Sequence, residues 1–342
     1  MGLVHSIVRA AIIVGASIPV LALSTTAEAQ LTPMRGCALL KRPIEMSLGV
    51  PDQAPGVFVE LIDPATDEVL ETRPAHPGNT GKIDLAELFP KLWTTEAPRV
   101  LMAQATTRVG DKVAARIGPP VVLVPMVAPR YAARVDREGT PQASPPAAPG
   151  SRVLSGYWTY TDQRVEITTG KGRLTFALRP DAAPNSVDNF RTLVARGFYD
   201  GVSIHRIASL SGRTLPDIVQ FGDPTGTGQG GPGYFIDFEP GPLKHAYGTL
   251  SLARTSDPNS AGSQVFICLG RDSAARLDGR YTVFARLVAG TDTLEALAKT
   301  PTDAEGKPRE PVTIESARLV DAPPYGAGPK PQADPLEKTP TR

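Results

Sequence analysis

Proline and glycine punctuate this chain more tightly than any other feature, with 35 prolines and 32 glycines in 342 residues. Proline fixes φ and removes an amide donor, and glycine weakens both helices and strands. Stretches free of breakers are therefore short, which favours strands and turns over long helices. The densest cluster, GTPQASPPAAPGS at 139–151, cannot bury much surface and reads as part of a linker over residues 131–152. It divides a first unit, residues 31–130, from a second, residues 153–321. Residues 322–342 share the linker's composition and are expected to be disordered.

The net charge is +1, so neither a nucleic-acid footprint nor an acidic tail stands out. Residues 10–23 form an apolar run, AAIIVGASIPVLAL, after a single basic residue, Arg9. Small residues follow at Ala27 and Ala29. This is the layout of a secretory signal peptide over residues 1–29, which implies a periplasmic or extracellular destination. The run is short of the ~20 residues that a membrane span needs. Cys37 and Cys268 are the two cysteines, and a bridge between them is not expected.

In the first unit, GVFVELIDP alternates and then turns, with EVLET as its hairpin return. RVLMAQATTRVGDKVAARI reads as two strands around Gly110 and Asp111. PPVVLVPMV reads as a further strand, placed at a sheet edge by its prolines. IDLAELF suits one helical turn. The sum is a small β-sandwich without clustered His, Cys or carboxylates. In the second unit, RVEITT and RLTFAL flank a glycine turn. Val187, Phe190 and Val194 fall at helical spacing between Pro184 and Gly197. Short strands are predicted around Ile204, Val219, Phe235, Leu250, Phe266 and Phe284, then a second helix, DTLEALAK, and a last strand, VTIESARLV. About eight strands with two helices make a mainly β fold, an antiparallel barrel capped by the helices.

One stretch of the second unit raises a chemical question. In GVSIHRI, the guanidinium of Arg206 shares a strand side with Val202 and Ile204, and His205 points the other way. Around it, NFRTLVARGFYDGVSIHRI, VQFGDPTGTGQGG, GTLSLARTSDPNSAGSQVFICLG and RLDGRYTVFARLVAG occur in order. Together they resemble the cyclophilin family of peptidyl-prolyl cis–trans isomerases, over roughly residues 165–319. The resemblance implies an eight-stranded cyclophilin-like barrel. It also implies that Arg206 is the catalytic arginine, Phe266 the floor of a proline pocket and Leu277 its wall. Gln220 and Gln264 are implied to bind peptide, with Ala253 and Arg254 beside its backbone. Tyr281 stands where the family carries His or Tyr.

The chemistry fits these residue types. An X–Pro bond turns over a barrier of ~18–20 kcal/mol, because its C–N bond has double-bond character, and does so unaided in tens to hundreds of seconds. Lowering that barrier takes no nucleophile, metal or cofactor. It takes a grip on the ring and one carbonyl, and a donor placed where the prolyl nitrogen recovers its lone pair. A permanent cation with fixed N–H groups is such a donor.

The segment between HRI and QFGD, residues 208–219, is about double the family's usual length. Counting back from Gln220 puts Ile218 at a pocket-lining position and Asp217 where an apolar wall is needed. A shifted register lets Leu215 or Ile218 fill that space. Arg276 replaces an aromatic that contributes to cyclosporin binding in sensitive members, which implies weak binding of that drug. His76 and His245 lack partners at metal-ligand spacing. Ser251 and Ser263 show no triad with a His and an acid. The glycines of GTGQGGPG lack the lysine and helix of a phosphate loop and read as turns. Two readings stay open: an exported monomeric isomerase acting on proline-containing, unfolded or partly folded polypeptides, or a binding module or chaperone using the same groove with little turnover.

Overall fold

A computed structural model describes residues 30–49, 56–76, 81–110, 112–127, 134–135, 141–142, 153–210, 212, 214–328 and 330. The expected signal peptide, residues 1–29, lies outside them. The first unit is a sandwich. Leu31–Pro33, Glu45–Leu48 and Lys82–Asp84 form one antiparallel sheet. A six-stranded sheet runs in the order Cys37–Leu39, Leu154–Thr161, Lys112–Val127, Leu101–Val109, Val57–Asp63, Glu68–Pro74. Leu31, Met46 and Ile83 from the small sheet share one core with Val59, Ala103, Leu123 and Tyr157 from the large one.

Two sequence expectations are corrected here. The boundary at residue 153 assigns Leu154–Thr161 to the second unit, but this strand pairs with Lys112–Val127 and Cys37–Leu39 of the first. Tyr157 explains the placement: it is fully buried, packs 5.4 Å from Trp93 and donates its hydroxyl to the Leu92 carbonyl at 3.0 Å. A change in composition marks the linker, whereas pairing follows the apolar faces. The second correction concerns PPVVLVPMV, which continues the interior strand Lys112–Val127 and does not form an edge. Pro119 and Pro120 are tolerated because they sit in a register break opposite Gln104. The Gln104 amide donates to the Ile117 and Gly118 carbonyls there, at 2.9 and 3.2 Å.

The second unit is an eight-stranded antiparallel sheet that curls on itself. Its order is Arg206–Ala208, Ile218–Phe221, Val265–Cys268, Thr249–Leu252, Val283–Ala289, Gly172–Leu178, Gln163–Thr169, Ile314–Asp321. Ser203 bridges Thr313, and Ile204 donates to the Val312 carbonyl at 2.8 Å, so backbone bonds draw the two edges together. Phe176, Phe221, Leu250, Val265, Ile267 and Phe284 fill the inside. The helix Pro184–Ala195 adds Val187, Phe190 and Val194 to that core, and the helix Thr291–Ala298 adds Leu294 and Leu297. The first helix has no side-chain cap of its own. Glu239 supplies one, accepting from the Asn185 and Ser186 amides at 3.0 and 2.7 Å. The strand expected around Phe235 is reduced to an isolated bridge between Ile236 and Ala261, and Phe235 is exposed.

The tail expected to be disordered is in part a fastening. Residues 322–328 run back to the first unit. The Tyr325 amide donates to Gln104 at 2.9 Å, its hydroxyl to Asp67, and Arg116 lies 5.5 Å over its ring. An aromatic with two polar neighbours outweighs the local proline content. Residues 331–342 lie outside the described residues. So does most of the linker, except that Arg134–Val135 and Pro141–Gln142 pair with each other.

The barrel strands approach closely at Gly222, where φ is +98° and an added Cβ collides with the Ser263 carbonyl oxygen. Gly222→Ala combines left-handed strain with a backbone clash, so we expect it to cost about 2 kcal/mol or more in a urea unfolding titration.

Candidate active site

The site begins with strand register. Arg206 lies opposite Gln220, Gln220 opposite Phe266, and Phe266 opposite Ser251, across four neighbouring strands. Residues directly opposite share a sheet face. With strands ~4.8 Å apart, one row thus carries a guanidinium, a carboxamide and an aromatic ring within side-chain reach of one another. Alternation puts the neighbours Ile207, Val219, Val265 and Ile267 on the other face, inside the barrel. The expected alignment of Arg206 with Ile204 is corrected here: Arg206 is exposed, whereas Ile204 and Ile207 both lie in the barrel core, because regular alternation begins only with the strand at Arg206. His205 is buried as well, and neither of its ring nitrogens has a hydrogen-bond partner among the described residues. Burial pushes its pKa down, which suits a neutral interior ring.

The polar half of the row is continuous. The Arg206 Nη1 group donates to Gln220 Oε1 at 3.4 Å, and Gln220 Nε2 donates to Gln264 Oε1 at 3.0 Å. Gln264 Nε2 donates in turn to the Gly228 and Gly230 carbonyls, both at 2.9 Å. Gln264 thereby braces the glycine-rich loop. Asp223 holds the same loop from its other end, accepting from the Thr225 and Gly228 amides at 2.7 and 2.5 Å. Burial pushes the Asp223 carboxyl up, but these hydrogen bonds outweigh it and hold its pKa well below the usual range.

The apolar half is a separate cluster on the outer face of the barrel. Ile218, Phe266, Cys268, Ala274 and Leu277 form it, with Ala253, Tyr281 and Leu210 packed against it. Five of the residues singled out in the sequence, Ile218, Ala253, Phe266, Leu277 and Tyr281, therefore meet in one cluster. Tyr281 meets Phe266 edge-on at 5.8 Å. Arg254 is anchored beside this cluster. Its guanidinium lies 4.4 Å over Tyr281 and donates to the Arg280 and Thr255 carbonyls at 2.9 and 2.7 Å, so it holds the Tyr281 wall in place.

The lengthened segment 208–219 resolves its own problem. Leu215 points away and is exposed, while Ile218 is buried in the cluster. Asp217, at the apparent wall position, turns its carboxylate elsewhere: it accepts from the Leu210 amide at 2.6 Å, from Ser209 Oγ at 3.1 Å and from Ser273 Oγ. That clasp brings Leu210 against the cluster, where the Arg276 guanidinium donates to its carbonyl. Leu210 escapes a count along the sequence, because the count assumes an uninterrupted strand and cannot place a residue carried in by a loop.

Beneath Phe266 lies an arrangement that the spacing of serines and histidines does not announce. The His245 ring stacks on Phe266, with centroids 6.0 Å apart and planes 8° from parallel. Its Nδ1 is 3.0 Å from Asp278 Oδ1 and its Nε2 is 3.1 Å from Ser251 Oγ, so a Ser–His–Asp series does exist, contrary to the expectation. It has no route to substrate, since Ser251 and His245 are fully buried. Arg271 closes the series at its acidic end, donating to Asp278 Oδ2 at 2.7 Å and to the His245 carbonyl at 2.7 Å. The whole is a polar brace, buried at His245 and Ser251 and partly exposed at Arg271, that fixes the aromatic floor. Burial pushes Asp278 up, but the Arg271 and His245 hydrogen bonds outweigh it and bring its pKa down to about 2. Burial pushes the His245 pKa down, against the pull of Asp278.

A depressed folded-state pKa at His245 means that protonation favours the unfolded chain. Its contribution to stability is complete above the unfolded value of about 6.5 and is lost as pH falls through the folded one. We expect the stability difference between wild type and His245→Gln to shrink as pH is lowered below about 6.5, in unfolding titrations across that range. A difference independent of pH contradicts a neutral buried ring.

Comparison with known proteins follows this geometry. Residues 164–319 match the family described as cyclophilin type peptidyl-prolyl cis-trans isomerase/CLD. The chain is 39% identical over 164 residues to peptidyl-prolyl cis-trans isomerase-like 1 of Gibberella zeae, covering 46% of this chain and 94% of that protein. It is 38% identical over 156 residues to a peptidyl-prolyl cis-trans isomerase of Schizosaccharomyces pombe, covering 44% of this chain and 94% of that one. A crystal structure of a cyclophilin type peptidyl-prolyl cis-trans isomerase from Cryptosporidium parvum, in the presence of the dipeptide Ala-Pro, aligns at 36% identity with a TM-score of 0.41. That alignment covers 46% of this chain and 99% of that one. With an arginine, a glutamine and a phenylalanine in one register row, and nearly whole relatives matched at this identity, the chain belongs to the cyclophilin-type peptidyl-prolyl cis-trans isomerase family.

Proposed function

We propose that the second unit isomerises X–Pro bonds in exported, unfolded or partly folded polypeptides, and so speeds their proline-limited folding. The observation that supports this best is the register row Arg206–Gln220–Phe266 beside the apolar cluster of Ile218, Leu277 and Tyr281, which we read as the hollow for the proline ring. The proline ring rests on Phe266, which the His245 stack keeps from tilting. As the C–N bond twists it loses double-bond character, and the nitrogen becomes pyramidal and regains its lone pair. The Arg206 guanidinium donates to that lone pair, an interaction absent from the planar ground state, and one made only in the twisted state raises the rate. Gln220 orients the guanidinium from the neighbouring strand. No proton is transferred and no covalent intermediate forms. Export rests on the layout of residues 1–29. Recovery of the mature protein outside the cytoplasm with Gln30 at its N-terminus supports it, and retention of Met1 in the cytoplasm contradicts it.

One observation favours the second reading, a proline-binding module with slow turnover. Phe266 is only 4% exposed, with Leu210 packed against the same cluster, so the hollow is narrow.

Protease-coupled isomerisation of Ala-Pro and Gly-Pro peptides separates the two. If Arg206 acts on the twisted bond, Arg206→Ala lowers kcat/KM by about 100- to 1,000-fold, as removal of one transition-state donor does elsewhere, while peptide affinity changes little. Equal turnover by both proteins removes Arg206 from the mechanism. Binding without turnover in the wild type favours the module.

A further inference from the structure

A recess opens beside Arg206, at the end of the register row. It has a volume of about 610 Å³, within the range of roughly 300–1,000 Å³ typical of ligand sites. Its floor is the strand Arg206–Ala208. One wall is the lengthened segment, through Thr214, Leu215 and Pro216, and the other is the turn after the last helix, through Lys299 and Ala304.

Both walls are fastened. The Asp217 amide donates to the Ala208 carbonyl at 2.9 Å, and the Asp217 carboxylate accepts from Ser209 and Leu210, so the segment leaves and rejoins the sheet at one point. Opposite, the Ile207 amide donates to the Gly306 carbonyl at 2.7 Å, and Asp303 accepts from the Glu305 and Lys307 amides at 3.1 and 2.8 Å. Gly306, at φ +87°, sits so close to the Ile207 carbonyl that a Cβ there would collide with it. Leu215 stands on the rim, 69% exposed, an apolar side chain with nothing covering it among the described residues.

We propose that this recess is an extended subsite for the polypeptide that flanks the bound proline. The proposal rests on reading the hollow as the proline site. The occupant is chosen by continuity: a chain whose proline nitrogen lies at the Arg206 guanidinium must leave the hollow past that residue, and the recess begins there. The added residues of segment 208–219 then lengthen the peptide footprint, and an apolar side chain of the substrate covers Leu215. The protein selects long, apolar-flanked segments, as unfolded chains present, over short peptides.

The test is cis–trans exchange measured by NMR on a short Ala-Pro peptide and on two versions lengthened with leucine- and valine-containing residues, one before and one after the proline. We expect one lengthened peptide to show kcat/KM about fivefold above the short one, the gain residing in KM, as partial burial of one aliphatic side chain gives. Leu215→Asp, and independently Ala304→Trp from the opposite wall, bring that ratio close to one. Arg206→Ala lowers turnover of all three peptides alike. The subsite is overturned if neither lengthened peptide exceeds the short one in the wild type, or if the ratio survives in both wall variants. Failure of the wild type to bind or turn over any of the three peptides overturns the proline reading itself, and the subsite with it.

Discussion

The site depends on cross-strand register. Arg206, Gln220 and Phe266 come from three separate stretches of chain and become neighbours only because the barrel pairs them residue for residue. A slip of one residue in any pair turns every side chain to the other face. Val219, Val265 and Ile267 forbid the slip, since each fills the barrel interior. The apolar alternation that stabilises the fold is thus the same alternation that aims the guanidinium. Gly222 and the Ser263 carbonyl lock the approach of the two strands at the next position.

Around that row the protein spends its polar groups on rigidity. Phe266 is held from below by a series that runs from partly exposed Arg271 and Asp278 to buried His245 and Ser251, and from the side by Tyr281, itself covered by Arg254. Each charged member has a partner, which offsets the cost of its partial burial. The glycine-rich loop is tied by Gln264 and Asp223. Removing a barrier by positioning alone requires such preorganisation, because a donor that must first rearrange loses its advantage in the twisted state.

Much of this was legible in the sequence, for identifiable reasons. Phe266 and Gln264, two apart on a strand whose other face is aliphatic, announce an outer face with its own cluster. Pro184 and Gly197 bracket a helix because each can occupy only certain backbone angles. The failures have reasons too. Leu154–Thr161 joined the wrong unit in the sequence reading, because the linker marks where the chain is polar and not where Tyr157 finds its core. Prolines 119 and 120 suggested an edge, but a side-chain amide from Gln104 serves the carbonyls beside them. The clasp of Asp217 on Leu210 and the His245 series join residues distant in sequence, and composition carries no signal for them. Tyr325 shows the same limit, since one docked aromatic outweighs a polar, proline-rich context.

The central claim is that a proline ring lies on Phe266 with its nitrogen at the Arg206 guanidinium. Isotope-edited NOE spectroscopy with a labelled Ala-Pro peptide bound to the full chain tests it most directly. The account predicts cross-peaks from the proline ring protons to the Phe266 ring and to the methyls of Ile218 and Leu277. Cross-peaks confined to the sandwich of the first unit, or a bound peptide with none to Phe266, contradict it.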